Sequence, residues 1–543
     1  MRANITVALF ALLIGSTVDA RPRPRIAQEQ NDPDQKDPDK DDGDGPEAQA
    51  VLPLKLDDLI EVAIRLAPDA TRAKVDRVAA KNLAEGERRQ QAWIVSSNGQ
   101  YQRNALAEDV EAPPFSIVSQ EKISASLGLG RNLPTGGNVS VEAGVARESD
   151  EYLIVTRLRD TANAQAPAGT DPNGNPYDYL FRNTASLRAT LRQPIARGFG
   201  PKVALAPITK ADLNASAETV KAQLATEELV RDLVVGYWDL ALKSFEVDVR
   251  AQALDFAQKQ EQLTHEQIRA GSAPSNAANA VTYEIAMRQD ALLRAQLELE
   301  NMSLTLRQKS GLELGRRDVA LRPAERFEIG EDEFDVDEIL ERSHAANRKL
   351  ATIQLQKKAA DLDVTVARDQ MKPQVDFTFS GAIMGNGDDA ASAVSGVGGA
   401  DSYEVMVGLQ VQFELSGAAG KARDAAIAKR KRLDIDREDA VRQIDVAVVN
   451  SVHMVTSART RVALADKAII VAEENVRAER ASFMVGRTTN FNVMQRQTEL
   501  IDARLRRGQA VADYHKAVAQ LQFLSGILLD QYRVNVKPRG ERR

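Results

Sequence analysis

The chain repeats one order of elements twice. His265-Glu266-Gln267-Ile268-Arg269-Ala270-Gly271 and Arg480-Ala481-Ser482-Phe483-Met484-Val485-Gly486 each bring a helical pattern to a glycine. Forty residues later both copies reach a second glycine, within Ser310-Gly311-Leu312 and Ser525-Gly526-Ile527. Upstream, Leu56-Asp57-Asp58-Leu59-Ile60-Glu61 corresponds to Val336-Asp337-Glu338-Ile339-Leu340-Glu341 at an offset of 280. Each opens a helical pattern that runs to Trp93 or Pro373, again 280 apart. Acidic residues there suit a helix N-terminus, where the dipole is positive. Self-similarity at a fixed offset narrows the choice to folds with two equivalent halves.

Between the helices the period changes from 3.6 to two. Val375, Phe377 and Phe379 alternate with Asp376, Thr378 and Ser380; Val405, Val407, Leu409, Val411 and Phe413 alternate with Glu404, Met406, Gly408, Gln410 and Gln412. Leu187, Ala189 and Leu191 alternate in the same way in the first half. Such segments are strands with one apolar and one polar face, of about the length of a tilted membrane strand. The expectation is one strand pair per half, with Gly385 to Asp401 as a flexible loop inside the second pair. The first half is longer, and Ile123, Ala125, Leu127 and Leu129, the turn Leu133-Pro134-Thr135-Gly136-Gly137, then Val139, Val141, Ala143 and Val145 read as an inserted hairpin over 122–146. That hairpin is expected to lengthen the barrel wall or its outer loops. A second, very long helix follows Arg197-Gly198 and Ser416-Gly417; over about 200–269 it would span roughly 105 Å.

Helices of that length have no place in a globular domain, and the composition agrees: aromatic residues make up only 5% of the 543. The absence of cysteine excludes disulfides, thiolate metal sites and a cysteine nucleophile. A net charge of −7 carries no nucleic-acid signature. His265, His344, His453 and His515 stand apart without metal-ligand or catalytic spacing, and no glycine-rich stretch ends in Gly-Lys-Ser/Thr. Neither enzyme chemistry nor a cofactor is indicated. Met1 and Arg2, the apolar run Ile5 to Ile14 and the small-residue ending Val18-Asp19-Ala20 read as a signal peptide over 1–20. Residues 21–50 read as a disordered acidic linker. The first repeat then spans 51–312, a linker 313–333, the second repeat 334–530, and a basic tail 531–543.

An exported chain with membrane-length strands and helices near 100 Å suits a duct. An open strand edge in lipid leaves backbone groups unpaired, so the strands must close into a barrel, and four from each of three chains would give twelve. The expected class is mainly α with a membrane β-barrel.

On these grounds the chain resembles the TolC family of trimeric outer-membrane efflux ducts over about residues 51 to 530. The resemblance is carried by Leu191-Arg192-Gln193-Pro194-Ile195 before the long helix, Val235-Gly236-Tyr237-Trp238-Asp239-Leu240 within it, and the two glycine breaks with their forty-residue tails. It implies a homotrimer in the outer membrane and its lipid, with a twelve-stranded barrel and a helical tunnel in the periplasm. The turns near Gly271 and Gly486 would form the tip, where a periplasmic adaptor of an inner-membrane transporter docks; Ser272, Pro274, Arg487 and Thr488 belong to the same contact. The tip would open by untwisting its helices, and cargo would pass without energy input at this component. Well-known members place a tyrosine three before the second-half glycine, an arginine two after it and acidic residues six and nine after it. Here those positions are Phe483, Thr488, Asn492 and Gln495, and the acidic position of the first half is Ala277. Arg487 is the candidate substitute for the arginine, and an entrance less sensitive to polyvalent cations is expected. Tyr237 and Trp238 are read as helix packing. The competing reading is an exported structural coiled-coil protein without channel activity, which would want sustained heptads and no lipid-facing strands.

Overall fold

The computed structural model of the chain describes residues 51–105, 115–154, 177–271, 274–275, 277–312, 320–331, 333–400 and 402–534. The expected signal peptide, the acidic linker, Ser272 and residues 535–543 of the tail lie outside them.

The first copy runs β1 (Val51–Leu54), α1 (Leu56–Leu66), α2 (Pro68–Arg89), β2 (Ile94–Ala105), β3 (Phe115–Asn132), β4 (Asn138–Ile154), β5 (Tyr177–Pro194), α3 (Pro201–Ala204), α4 (Ala206–Arg269) and α5 (Ala277–Ser310). The second runs β6 (Ala320–Pro323), α6 (Val336–Ala346), α7 (Arg348–Asp369), β7 (Gln374–Gly387), α8 (Ala390–Gly399), β8 (Ser402–Gln412), α9 (Ala418–Met484), α10 (Asn490–Leu524) and α11 (Leu528–Gln531). The duplication is closest in the first helices: α6 and α7 start 280 residues after α1 and α2 and match them at 11 and 22 residues.

The 64 residues of α4 and 67 of α9 correspond to about 96 and 100 Å. α4 is flanked by α5 and α2 on one side and by α10 and α7 on the other, with α9 beyond them. The shorter helices stack end to end into columns of similar reach. Gly311, at φ +73°, closes α5 so tightly on the junction of α1 and α2 that a Cβ there would stand 2.5 Å from Leu66 O. Gly526 closes α10 on Ala346 in the same way, with Ala346 O at 3.1 Å. A two-stranded parallel sheet, β1 with β6, crosses the columns at that level. It is tied to α4 by Tyr237, whose buried hydroxyl donates to Leu54 O and accepts from the Ala324 and Glu325 amides. Tyr237 and Trp238 are packing residues, as expected: both are buried, and the Trp238 ring stacks on His515 at 3.5 Å.

The strands sharpen the sequence reading. A strand pair and an inserted hairpin were expected in the first half, which supplies four strands, and β2-β3-β4-β5-β7-β8 form one antiparallel sheet. The inserted hairpin is β3 and β4 and lies inside the sheet, because its alternation continues that of both neighbours. Val95, Leu129, Val141 and Ala189 follow one another across the ladders, as do Leu187, Ile383 and Tyr403. The stretch expected as a flexible loop also differs. Asp389 caps α8 by accepting from Ser392 N at 2.7 Å while Ser392 Oγ accepts from Asp389 N, a reciprocal capping box. The helix lies on the side-chain-free patch made by Gly385 and Gly387, where a Cβ on Gly385 would meet Ala393 O at 2.1 Å.

Candidate functional site

Two regions carry chemistry, the far end of the helices and the two faces of the sheet. At the helical end, α9 stops in a paired-bond turn. Gly486 N donates to Phe483 O at 3.0 Å and Arg487 N to Ser482 O at 2.9 Å, which requires left-handed backbone at the glycine, φ +74°. Gly271 holds φ +71° at the end of α4, and Pro274 O accepts from Ala277 N to begin α5. The two hairpins meet here, with Gln267 Nε2 donating to Phe483 O at 3.2 Å.

The singled-out residues divide by exposure. Gly271, Pro274, Gly486, Arg487, Asn492 and Gln495 are exposed, Ala277 and Thr488 are half-buried, and Phe483 is buried between helices. Thr488 donates to Glu479 and accepts from Asn492 Nδ2, so this turn is braced by neutral and single-charge contacts without a carboxylate ring among the named positions.

A polar layer just above the turns escaped the sequence reading. Gln260 is 1% exposed, and neither its Oε1 nor its Nε2 finds a partner. About two turns farther from the tip, Arg288 is buried, bonded through Nε to Glu284 at 3.0 Å and through Nη1 to Ala253 O at 3.0 Å, with Nη2 unpartnered. Burial pushes the Arg288 guanidinium below its usual range, against the pull of Glu284. Thr264 and Gln497 are buried in the same end of the bundle. The signal was present: Ala253, Ala257, Gln260 and Thr264 share one helix stripe, as do Val281, Ile285 and Arg288. Polar residues at stripe positions mark a seam whose packing is not fully satisfied.

The sheet has two unlike faces. Odd-numbered residues make a contiguous exposed apolar band that includes Ile123, Leu127, Val141, Leu187, Phe379 and Val407, far beyond what a water-facing surface carries. Even-numbered residues make a polar face crossed by ion pairs: Arg192 to Asp376 at 2.6 Å and Arg188 to Glu404 at 2.9 Å, with Ser380 accepting from Arg188 at 3.2 Å. Tyr101 and Tyr403 stand toward one edge of the band and Trp93 and Phe413 toward the other. Apolar outside, polar inside and aromatic at the rims is the pattern of a membrane barrel wall. No described helix is long and apolar enough to cross a membrane.

Comparison with known proteins agrees with this geometry. Residues 339–527 match the model of the outer membrane efflux protein family. The outer membrane protein VceC from Vibrio cholerae is similar in structure, with 14% identity, 87% of this chain and 96% of that one covered, and a TM-score of 0.62. The outer-membrane channel OprN (14% identity, 87% and 89% covered, TM-score 0.62) and the outer membrane channel CmeC of Campylobacter jejuni (12% identity, 87% and 85% covered, TM-score 0.62) are similar too. No curated protein matches in sequence. Efflux proteins of this kind are transport proteins of the outer membrane, not enzymes. The second half thus carries the match to the outer membrane efflux protein family, and the TolC-like fold runs through both halves.

Proposed function

We propose that three copies of the chain close into an exit duct, with the sheet in the outer membrane and the helices in the periplasm, that serves a tripartite efflux or type I secretion system. One observation carries the reading: the helical layer and the sheet stop at the same two edges. β2 follows α2 at one side and β8 precedes α9 at the other, and both strands are edges of the sheet. The helices at those sides keep unpartnered apolar stripes, Tyr283, Met287 and Leu297 on α5 and Ile435, Val446 and Met454 on α9. Joining the sides of neighbouring copies covers both stripes and both strand edges at once.

The tip residues take their roles from this assembly. Gly271, Ser272 and Pro274 with Gly486, Arg487 and Thr488 form the surface offered to a periplasmic adaptor, which links the duct to an inner-membrane transporter. Ala277, Asn492 and Gln495 border the constriction and Phe483 backs it. The unsatisfied seam at Gln260 and Arg288 lowers the cost of separating the tip helices, since opening hydrates groups that are unpaired when closed.

Membrane fractionation followed by gel mobility with and without heating tests the assembly: a heat-sensitive trimer in the outer membrane is expected, and a soluble monomer overturns it. Crosslinking from positions beside Gly271 and Gly486 should capture an adaptor. Because Asn492 and Gln495 offer no carboxylate, single-channel current should persist in micromolar trivalent cation; block at that level would refute the tip reading.

A further inference from the structure

We propose that the outer-membrane barrel of this protein has eighteen strands, six from each copy, sealed by an antiparallel seam between β8 of one copy and β2 of the next. The inference rests on the trimeric duct proposed above. It departs from the twelve strands that the family resemblance implies.

Six strands are too few to close alone, since membrane barrels begin at about eight. The described sheet therefore has two edges that lipid cannot satisfy. Three features make a second copy the occupant of those edges. β2 and β8 run in opposite directions, because five successive antiparallel ladders separate them, so their juxtaposition continues the alternation without a parallel step. The apolar band reaches both edges at the same parity, with Val95 and Tyr101 on β2 and Val405, Val407, Leu409 and Val411 on β8. The stagger is also that of a closed barrel. Following the ladders from Ile94 leads through Gly130, Ser140, Thr190 and Ser380 to Met406, six residues short of the end of β8 at Gln412. A climb of six residues over five ladders is a tilt of about 40°, within the range for barrels.

The hairpin β3–β4 cannot stand outside the wall. β3 pairs with β2 from Ile94 to Ala105, and β4 pairs with β5 from Asn138 to Leu153; removing it would leave β2 and β5 without those partners. Its own outward residues, Ile123, Leu127, Leu129, Val141 and Val145, are as exposed and apolar as those of the flanking strands. At a tilt of about 40° and a strand spacing of about 4.8 Å, eighteen strands give a backbone diameter of about 36 Å, against about 24 Å for twelve. The first is the size of barrel that leaves an open aqueous channel. The outer mouth is then wide and lined by the polar face with its Arg188–Glu404 and Arg192–Asp376 pairs, and restriction of cargo falls to the helical tip.

Electron cryomicroscopy of the full chain purified into lipid nanodiscs measures the wall directly. Three copies around a barrel of eighteen strands about 36 Å across are expected. Three copies around twelve strands, with β3–β4 displaced, would overturn the strand count and leave the trimeric duct standing; any other copy number, or no membrane-inserted assembly, would overturn both. The seam is checked independently, because the native chain contains no cysteine. Gln100→Cys combined in turn with Glu404→Cys, Met406→Cys, Gly408→Cys or Gln410→Cys should, on oxidation, give covalently linked copies for one or two registers. Linkage confined within single chains, or none in a folded trimer, overturns the seam. Excision of Phe115 to Ile154 should narrow the barrel to about 24 Å, since β2 and β5 are themselves antiparallel; an unchanged diameter refutes the hairpin's place in the wall.

Discussion

Replacing Tyr237 by phenylalanine removes one buried hydroxyl and leaves the ring in place. That oxygen donates to Leu54 O at 3.1 Å and accepts from Ala324 N at 3.2 Å and Glu325 N at 3.4 Å. The residue is 0% exposed, so water does not take over. The loss is nevertheless smaller than three bonds. Ala324 N also donates to Leu54 O at 2.9 Å, and this bond survives in the variant, keeping both groups paired. What disappears is one good hydrogen bond, a shared one and a long one, a net cost of about 1–2 kcal/mol. Because these bonds join α4 to β1 and β6, the cost falls on local opening of that small sheet. Hydrogen exchange read by mass spectrometry should show amides around Ala324 and Glu325 exchanging about 5–30 times faster, with the centre of α9 unchanged. Tyr237→Ala, which adds a ring-sized cavity, should cost about 3–5 kcal/mol. Unchanged exchange at the sheet in Tyr237→Phe would refute the claim that the hydroxyl pins it to the helix.

The same reasoning extends to other buried groups. Gln260→Met removes an amide that has no partner at nearly constant volume, so the tip should gain about 1–2 kcal/mol and open less often in single-channel records; a lower melting temperature would show that the amide is satisfied. Arg348→Ala strands Glu227, which is buried and bonded to the guanidinium at 2.7 Å, and should cost about 3–5 kcal/mol in chemical denaturation. Burial already raises the Glu227 carboxyl above its usual value despite Arg348, so that cost should grow as pH rises above about 4.5. His515 is held below its usual value by burial, partly offset by its bond to Glu328 O. Its neutral form belongs to the folded state and the unfolded chain takes up the proton first. Its stabilising contribution is therefore present above about pH 6.5 and lost as pH falls. Wild type should lose more melting temperature than His515→Gln between about pH 7.5 and 5.5; equal losses would exclude the imidazole as the source.

What the sequence could and could not disclose follows from how local each determinant is. The helices of the two halves were readable because first-turn carboxylates, apolar periodicity and terminal glycines all lie within a few residues of the elements they define; Asp57-Asp58 and Asp337-Glu338 mark the first turns of α1 and α6. The hairpin over 122–146 was readable as a hairpin for the same reason, through its turn at Gly136-Gly137. Its place in the wall was not, because that depends on pairings such as Leu187 with Ile383, almost two hundred residues apart. α8 was masked by composition: its small residues look like a loop until Gly385 and Gly387 supply a flat surface for them. At the tip the information was local, but only part of it drew notice. The turn glycines attract attention by residue type, whereas Gln260 and Arg288 betray themselves only as polar residues in an apolar stripe. The role of Arg487 or Asn492 is not written in this chain alone, since each faces outward and takes its meaning from a neighbour. The two edges of the fold obey the same rule. A sheet that ends in β2 and β8 and a helical layer that ends in α5 with α2 and in α9 are each incomplete, and they are incomplete at the same places. These are the edges that neighbouring copies cover in the proposed trimer.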